Sequence, residues 1–235
     1  MIVVIGNGEL TTMISLLFSH SRMDCFVMDS LNISLLNDLL NNASVIINTL
    51  IETDDESWMH IINTQLPHYL SSWGIPMIHL TFHDDLYLGN VSRTYTADSR
   101  PDALWKSWYH TTRILGEPFG KHVLVLRAHV IEDDFPLPFS NVHHNGITNF
   151  AIASFIHDKL TENYSKSLFG KTIYIGSEQS QTMWDTAAYM ANRQKIPIPQ
   201  YQYAKWEMNK IIRGHLQLKN IQTLLDEQAE FRNWK

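Results

Sequence analysis

The sequence predicts an α/β fold: a parallel sheet wound with helices on both faces, followed by a small, partly helical C-terminal lobe. The 235-residue chain opens with an apolar, β-branched run, Ile2–Ile5, that leads directly into Gly6 and Gly8. A helical spacing of apolar residues begins at Leu10. Short apolar runs then alternate with helical patterns to about residue 192. This alternation is typical of βαβ units with right-handed crossovers.

Each later element has its own local signal. Apolar β-branched runs predict strands, and helical spacing between capping residues, glycines and prolines predicts helices. Further strands are predicted at 25–29, 44–49, 75–81, 122–127 and 171–175. Helices are predicted at 31–40, from about 57 to 74, at 101–116, 147–160 and 182–192, and over one or two segments from about 203 to 231. Residues 82–100 are predicted to form a polar loop.

Composition and charge exclude several classes of protein. Hydrophobic residues make up 44% of the chain, enough for a buried core, and the net charge of −6 argues against a general nucleic-acid binder. Residues 1–192 carry a net charge of −10, whereas residues 193–235 carry +4. The single cysteine, Cys25, excludes a disulfide framework, and no apolar run approaches 18 residues. We expect a cytoplasmic protein without a membrane segment.

The glycine turn is the first candidate site. Glycines let backbone N–H groups approach a pyrophosphate closely, and the start of the helix, at Glu9 and Leu10, supplies partial positive charge. The motif reads G-x-G-x-x-T, with Thr11 where a third glycine would allow close helix packing. Taken alone, it fits a dinucleotide site of Rossmann-like type and a purely structural turn equally well.

Asp29 predicts the cofactor preference. It ends the second predicted strand, 21 residues beyond Gly8, where a carboxylate can receive the two ribose hydroxyls of an adenosine. The alternative is an ordinary aspartate at a turn. No Lys or Arg lies between Arg22 and Arg93 to receive a 2′-phosphate. NAD is therefore slightly favoured over NADP.

Tyr109 and Arg113 form the candidate catalytic pair. Four residues apart on one helix, they share a face. A cation beside a phenol lowers the phenol's pKa, so such a tyrosine can donate a proton to a carbonyl. An ordinary solvated pair is the alternative.

This pattern, followed by Gly116-Glu117, resembles the Y-x-x-x-K and G-E active-site pattern of the extended short-chain dehydrogenase/reductases, and most closely their dTDP-4-dehydrorhamnose reductase family. The resemblance recurs in order along residues 1–190. Its other segments are Val4–Leu10, Ser30–Ile33, Val45–Asn48, His79–Gly89, Leu126–Ile131 and Glu178–Thr182.

The resemblance implies an NAD(P)-dependent reductase that reduces a 4-keto nucleotide sugar. Tyr109 would donate the proton, Thr81 would polarise the keto oxygen, and Arg113 would bind the ribose and bias Tyr109. The cofactor contacts implied are Gly6, Gly8, Glu9, Leu10, Asp29, Asn32, Ile33, Asn48, Thr49 and Val130.

Departures from the family pattern leave a second function open. Arg113 replaces the lysine, and the loop that should read S-T-D reads Thr81–Asp84, with an apparent insertion. Arginine keeps the charge but cannot lose its proton. A non-catalytic dinucleotide-binding regulatory protein on the same scaffold is therefore the alternative.

The remaining expectations concern domains and partners. Residues 1–192 are predicted to form the dinucleotide-binding domain, with small-lobe segments interleaved at about 132–160, and residues 193–235 a basic helical extension. That extension is a candidate contact for a protein partner, and a homo-oligomer is compatible with the sequence. His143-His144 are predicted to be loop or surface residues rather than metal ligands. Trp58 is predicted to be a core or lobe-contact residue.

Overall fold

The structure is a computed structural model that describes most of the chain. The described residues are 1–82, 95–96, 108–131, 140, 142–161, 168–203, 209–210, 212–213 and 216–233. Most of the predicted loop at 82–100 and the first part of the helix predicted at 101–116 lie outside them.

The elements follow the predicted alternation closely. In the first half they are β1 (Ile2–Ile5), α1 (Gly8–His20), β2 (Cys25–Met28), α2 (Ile33–Leu40), β3 (Val45–Asn48), α3 (Glu56–Met59), a π-helical segment (His60–Gln65), α4 (Leu66–Ser72), β4 (Met77–Phe82) and β5 (Tyr95–Thr96). Then come α5 (Trp108–Leu115), β6 (Val123–Ala128), β7 (His143–His144), α6 (Asn149–Thr161), β8 (Lys171–Ser177), β9 (Gln181–Thr182) and α7 (Met183–Gln194). The last are β10 (Asn209–Lys210), β11 (Ile212–Arg213), β12 (Leu216–Leu218) and α8 (Ile221–Arg232).

Seven of the described strands form the main sheet, in the order β12-β8-β6-β4-β3-β1-β2. Every neighbouring pair is parallel, and β1 pairs with β2 and β3 from Ile2 onward. All seven strands therefore end at the same edge, where ligands bind in open parallel sheets. The predicted doubly wound, Rossmann-like sheet is confirmed.

Each face of the sheet is covered by its own apolar cluster. On one face α1, α6 and α8 pack against alternate residues of the central strands, such as Val4 and Leu126. On the other face α2, the π-helical segment and α4 cover the intervening residues, such as Val3 and Val125. The strands read as continuous apolar runs because both of their faces are buried.

The C-terminal segment, predicted as one or two helical segments from about 203 to 231, also contains strands. Residues 216–218 form β12, which extends the main sheet beside β8, and α8 then packs on α6 and α7. Three residues are too short for a periodic signal, and the strand is specified by its parallel neighbour. Helix α6, which the sequence placed within the small-lobe segment 132–160, packs against α1 in the main core. The division into domains stays a prediction.

The remaining described strands make two small sheets, β10-β7-β9 and β11-β5. None of the helices in the described part of the chain is long and apolar enough to cross a bilayer.

Candidate functional site

The glycine turn has the close packing that its sequence predicts. A Cβ built on Gly6 would lie 1.9 Å from Thr49 Oγ1 and 2.7 Å from Thr11 Oγ1. These two hydroxyls are 2.9 Å apart and hydrogen-bonded. Thr11, in the place of the third glycine, therefore joins α1 to the end of β3 through its hydroxyl.

Gly8 has the opposite surroundings. Its φ is +83°, a left-handed conformation that glycine adopts without strain, and a Cβ on it would meet no described atom within 4 Å. Asn7, at the N-cap, makes no side-chain hydrogen bond to the first turn of α1. The start of the helix thus faces open space, as an anion site at this position requires.

A cavity of about 320 Å³ lies beside this turn, at the ends of β1, β2 and β3. Its wall combines apolar side chains with a few polar ones, as is typical of small-molecule sites. Its lining residues are Asn7, Asp29, Ser30, Leu31, Leu50, Ile51, Glu52, Trp58 and Ile62.

Trp58 and Glu52 are cavity residues that sequence reasoning missed. Trp58 was assigned to the core or a lobe contact, but 46% of it is exposed and it lines the cavity. The Glu52 carboxylate accepts hydrogen bonds from the three amides of Thr53, Asp54 and Asp55, which fixes the loop after β3. The only sequence signal was the position of both residues shortly after a strand's carboxyl end.

Asp29 lines the cavity, whereas Asn32 and Ile33 do not. Asn32 is the N-cap of α2, and its side chain accepts a 3.1 Å hydrogen bond from the Leu35 amide. Ile33 begins that helix and is 52% exposed. Asn32 thus stabilises the helix start, a role that its resemblance to an adenosine-binding aspartate did not indicate.

Asn48 belongs to a buried polar layer under the edge of the sheet. Its Nδ2 donates to His79 Nδ1 at 3.1 Å, and its Oδ1 accepts from the Leu50 amide. Thr81 lies two residues beyond His79 on the same face of β4 and is fully buried. His79 Nε2 and Thr81 Oγ1 have no hydrogen-bond partner among the described residues.

Helix α5 carries both candidate catalytic residues, and the structure describes the side chain of Arg113. Arg113 is 1% exposed, and its Nη2 donates to the Leu80 carbonyl at 3.0 Å, directly before Thr81. The Tyr109 side chain lies outside the described part of the structure. The helix brings Arg113 and Thr81 to the same short stretch of β4, but it holds the guanidinium against the sheet's backbone.

The end of α5 is fixed by two close contacts. A Cβ on Gly116 would lie 1.6 Å from the backbone oxygen of Asn63, so α5 meets the π-helical segment without a spacer. Glu117 accepts two hydrogen bonds from Arg127, from Nε at 3.0 Å and from Nη2 at 2.7 Å. Such a buried bidentate ion pair fixes the orientation of both the guanidinium and the carboxylate. The Gly116-Glu117 pattern thus positions the helix that carries Tyr109 and Arg113.

Val130 lies beyond β6, and its backbone forms a bridge with Ile147.

A second buried polar cluster lies around His144. His144 Nε2 is 2.7 Å from Thr186 Oγ1, and the ring Nδ1 accepts from the Gly146 amide. The surface assignment of His144 was wrong, since only 1% of it is exposed, whereas His143 is exposed. Among the described residues, no three His, Cys, Asp or Glu side chains form a candidate metal site.

His79 gives the protein a predictable response to acid. Its pKa is held well below the ordinary value of 6.5, chiefly by burial and also by the Arg113 and His68 charges. Below that value the unfolded chain binds a proton that the folded chain does not. We therefore expect His79 to lower the unfolding free energy as pH falls through 6.5, by up to about 1.4 kcal/mol per pH unit.

Denaturant titration from pH 7 to pH 5 measures this effect. His79→Gln keeps an acceptor for Asn48 and should flatten the pH dependence. Equal slopes in the wild type and His79→Gln would contradict the assignment.

No protein-family model matches the sequence, and no curated protein matches it. Solved structures do match. One is a dTDP-4-dehydrorhamnose reductase from Bacillus anthracis in complex with NADP, at 13% identity and a TM-score of 0.79 over 98% of both chains. A hypothetical dTDP-4-dehydrorhamnose reductase from Sulfolobus tokodaii shares 15% identity, with a TM-score of 0.70 over 90% of this chain and 92% of that one.

The Bordetella bronchiseptica enzyme WbmG, in complex with NAD and UDP, shares 12% identity and has a TM-score of 0.71 over 99% of this chain and 93% of that one. The first match extends into residues 193–235, for which the sequence offered no counterpart. The chain therefore has the fold of these dTDP-4-dehydrorhamnose reductases and related nucleotide-sugar enzymes, as its resemblance to that family predicted.

Proposed function

We propose that this protein is an NAD(P)-dependent reductase of the nucleotide-sugar type, which reduces a 4-keto sugar. The observation that carries the proposal is the cavity beside Gly8, bounded by Asp29, at the edge of a sheet whose solved counterparts hold NADP or NAD. The open space over Gly8 and the absence of a side-chain cap at Asn7 fit a pyrophosphate there.

Residues at different positions along the edge of the sheet would contact different parts of the cofactor and the substrate. The amides of Gly8, Glu9 and Leu10 would hold the pyrophosphate, while Asp29 and the cavity wall would hold the adenosine. When bound, the cofactor supplies the hydride. Tyr109 would donate a proton to the carbonyl oxygen. Thr81, whose buried hydroxyl has no protein partner among the described residues, would hydrogen-bond the same oxygen.

The cavity also supports a preference for NAD over NADP. Two carboxylates, Asp29 and Glu52, line it, and none of its described lining residues is a lysine or an arginine. A 2′-phosphate beside these groups would be repelled, so NADH should bind several-fold more tightly than NADPH.

Titration of both reduced cofactors, followed by nicotinamide fluorescence, tests binding and preference together. Absence of binding by either cofactor would contradict the proposed function. Tenfold tighter binding of NADPH, about 1.4 kcal/mol, would contradict the assignment of Asp29 alone. Turnover with 4-keto nucleotide sugars then tests the reaction.

One observation favours the second candidate, a non-catalytic dinucleotide-binding protein. Arg113 takes the place of the lysine that binds the ribose in the family pattern, yet its Nη2 donates to the Leu80 carbonyl and the residue is buried. A guanidinium in this position connects α5 to β4 by a hydrogen bond and so has a structural role in addition to its charge. Cofactor binding without turnover of any keto sugar would favour this function.

A further inference from the structure

The last turn of α8 reaches the glycine turn at the other end of the chain. Arg232 donates from Nε to Glu9 Oε1 at 2.9 Å, and its Nη2 donates to the same oxygen. The other carboxylate oxygen, Oε2, accepts from Asn149 Nδ2 at 3.1 Å. Glu9 is in the first turn of α1, directly after Gly8, so Arg232 is ion-paired with a residue of the proposed pyrophosphate site.

Neighbouring residues of α8 hold this turn in place. Gln228 is 2% exposed, and its Oε1 accepts from the Phe150 amide at the start of α6. The Phe231 ring stacks on Phe150, with centroids 4.7 Å apart. Helix α8 therefore packs beside the start of α6, and its last turn, which holds Arg232, reaches the start of α1.

The charge arrangement gives Arg232 a specific task. A carboxylate in the first turn stabilises a free helix, because it complements the helix dipole. The same carboxylate repels a pyrophosphate that approaches the same amides. Arg232 neutralises the Glu9 carboxylate, and the Asn7 side chain makes no hydrogen bond to the amides of this turn.

We propose that Arg232 is a positioning residue for the dinucleotide: its ion pair with Glu9 removes the repulsion at the glycine turn and couples α8 to cofactor binding. This inference rests on the proposed function, since it concerns the same site. By linkage, a bound dinucleotide should in turn stabilise the last turn of α8.

Calorimetric titration of NADH into four proteins tests the proposal. Arg232→Gln should bind about three- to tenfold more weakly than the wild type at low salt, with a smaller difference at high salt. The double variant Glu9→Gln/Arg232→Gln should return to within about twofold of the wild type, because the uncompensated charge is gone. Arg193→Gln is the matched control: Arg193 pairs with Asp226 of the same α8 at similar exposure, but that pair connects to α7.

The outcomes separate the explanations. If Arg232→Gln binds as tightly as the wild type, the proposal is overturned. It is equally overturned if the double variant stays weak or if Arg193→Gln is weakened to the same extent, because Arg232 would then act only by docking α8. No binding of NADH or NADPH by the wild type would overturn the proposed function and this inference with it. Hydrogen exchange adds an independent readout, in which NADH should slow the amides of residues 230–232 in the wild type but not in Arg232→Gln.

Discussion

Tyr109→Phe should slow the reduction of a 4-keto nucleotide sugar by roughly 10²–10⁴, the usual contribution of a general acid. The phenylalanine keeps the ring and removes only the proton donor, so affinity for the cofactor should change little. Single-turnover oxidation of bound NAD(P)H, followed at the nicotinamide absorbance, measures the step directly.

Two further variants sharpen this test. Arg113→Lys restores the residue of the family pattern and should keep or raise the rate. Tyr69→Phe is the matched control, because the Tyr69 hydroxyl donates to Asn37 away from the proposed site. A rate that is unchanged in Tyr109→Phe would remove Tyr109 from the mechanism. Absence of turnover in the wild type and every variant, with cofactor bound, would favour the regulatory function.

Gly8→Val should abolish dinucleotide binding while the protein remains folded. Valine would fill the open space over the turn that the pyrophosphate needs, and its branched side chain is strained at a φ of +83°. That strain costs on the order of 1–3 kcal/mol.

Gly74→Val separates the two effects. Gly74 has a φ of +68°, and a Cβ added to it would also meet no described atom within 4 Å, but it follows α4 and does not line the cavity. Both variants should therefore lose a similar amount of stability in thermal unfolding, and only Gly8→Val should lose NADH affinity in calorimetry. Retained affinity in folded Gly8→Val would place the cofactor elsewhere.

The sequence was most informative where local chemistry and fold agree. Apolar β-branched runs predicted the central strands to within one or two residues, because each strand is buried on both faces and admits little else. The glycine turn was also predictable, because each glycine is required for a different reason. Gly6 has no room for a Cβ, and Gly8 has a positive φ. Strand order alone put Asp29 at the carboxyl end of β2, where it lines the cavity.

Features that depend on distant residues could not be predicted. The short β12 is defined by its pairing with β8. Glu52 is held at the cavity by Asn63 of the π-helical segment, whose side chain hydrogen-bonds both the amide and the carbonyl of Glu52. The buried position of Arg113 depends on a bond to Leu80, 33 residues away. Helical spacing predicted that Arg113 and Tyr109 share a face of the helix. It could not predict that Arg113 packs against the backbone of β4.

The contact between Glu9 and Arg232 joins residues 223 positions apart, and α8 also completes the core over α1 and α6 with Leu224 and Phe231. During synthesis this face of the sheet cannot be closed until residue 232 has left the ribosome. Every earlier strand of the main sheet is by then already made. Long-range closure of this kind is slow, and it leaves apolar surface accessible in the meantime. Until α8 docks, the apolar side chains of α1 and α6 that Leu224 and Phe231 cover remain accessible to water.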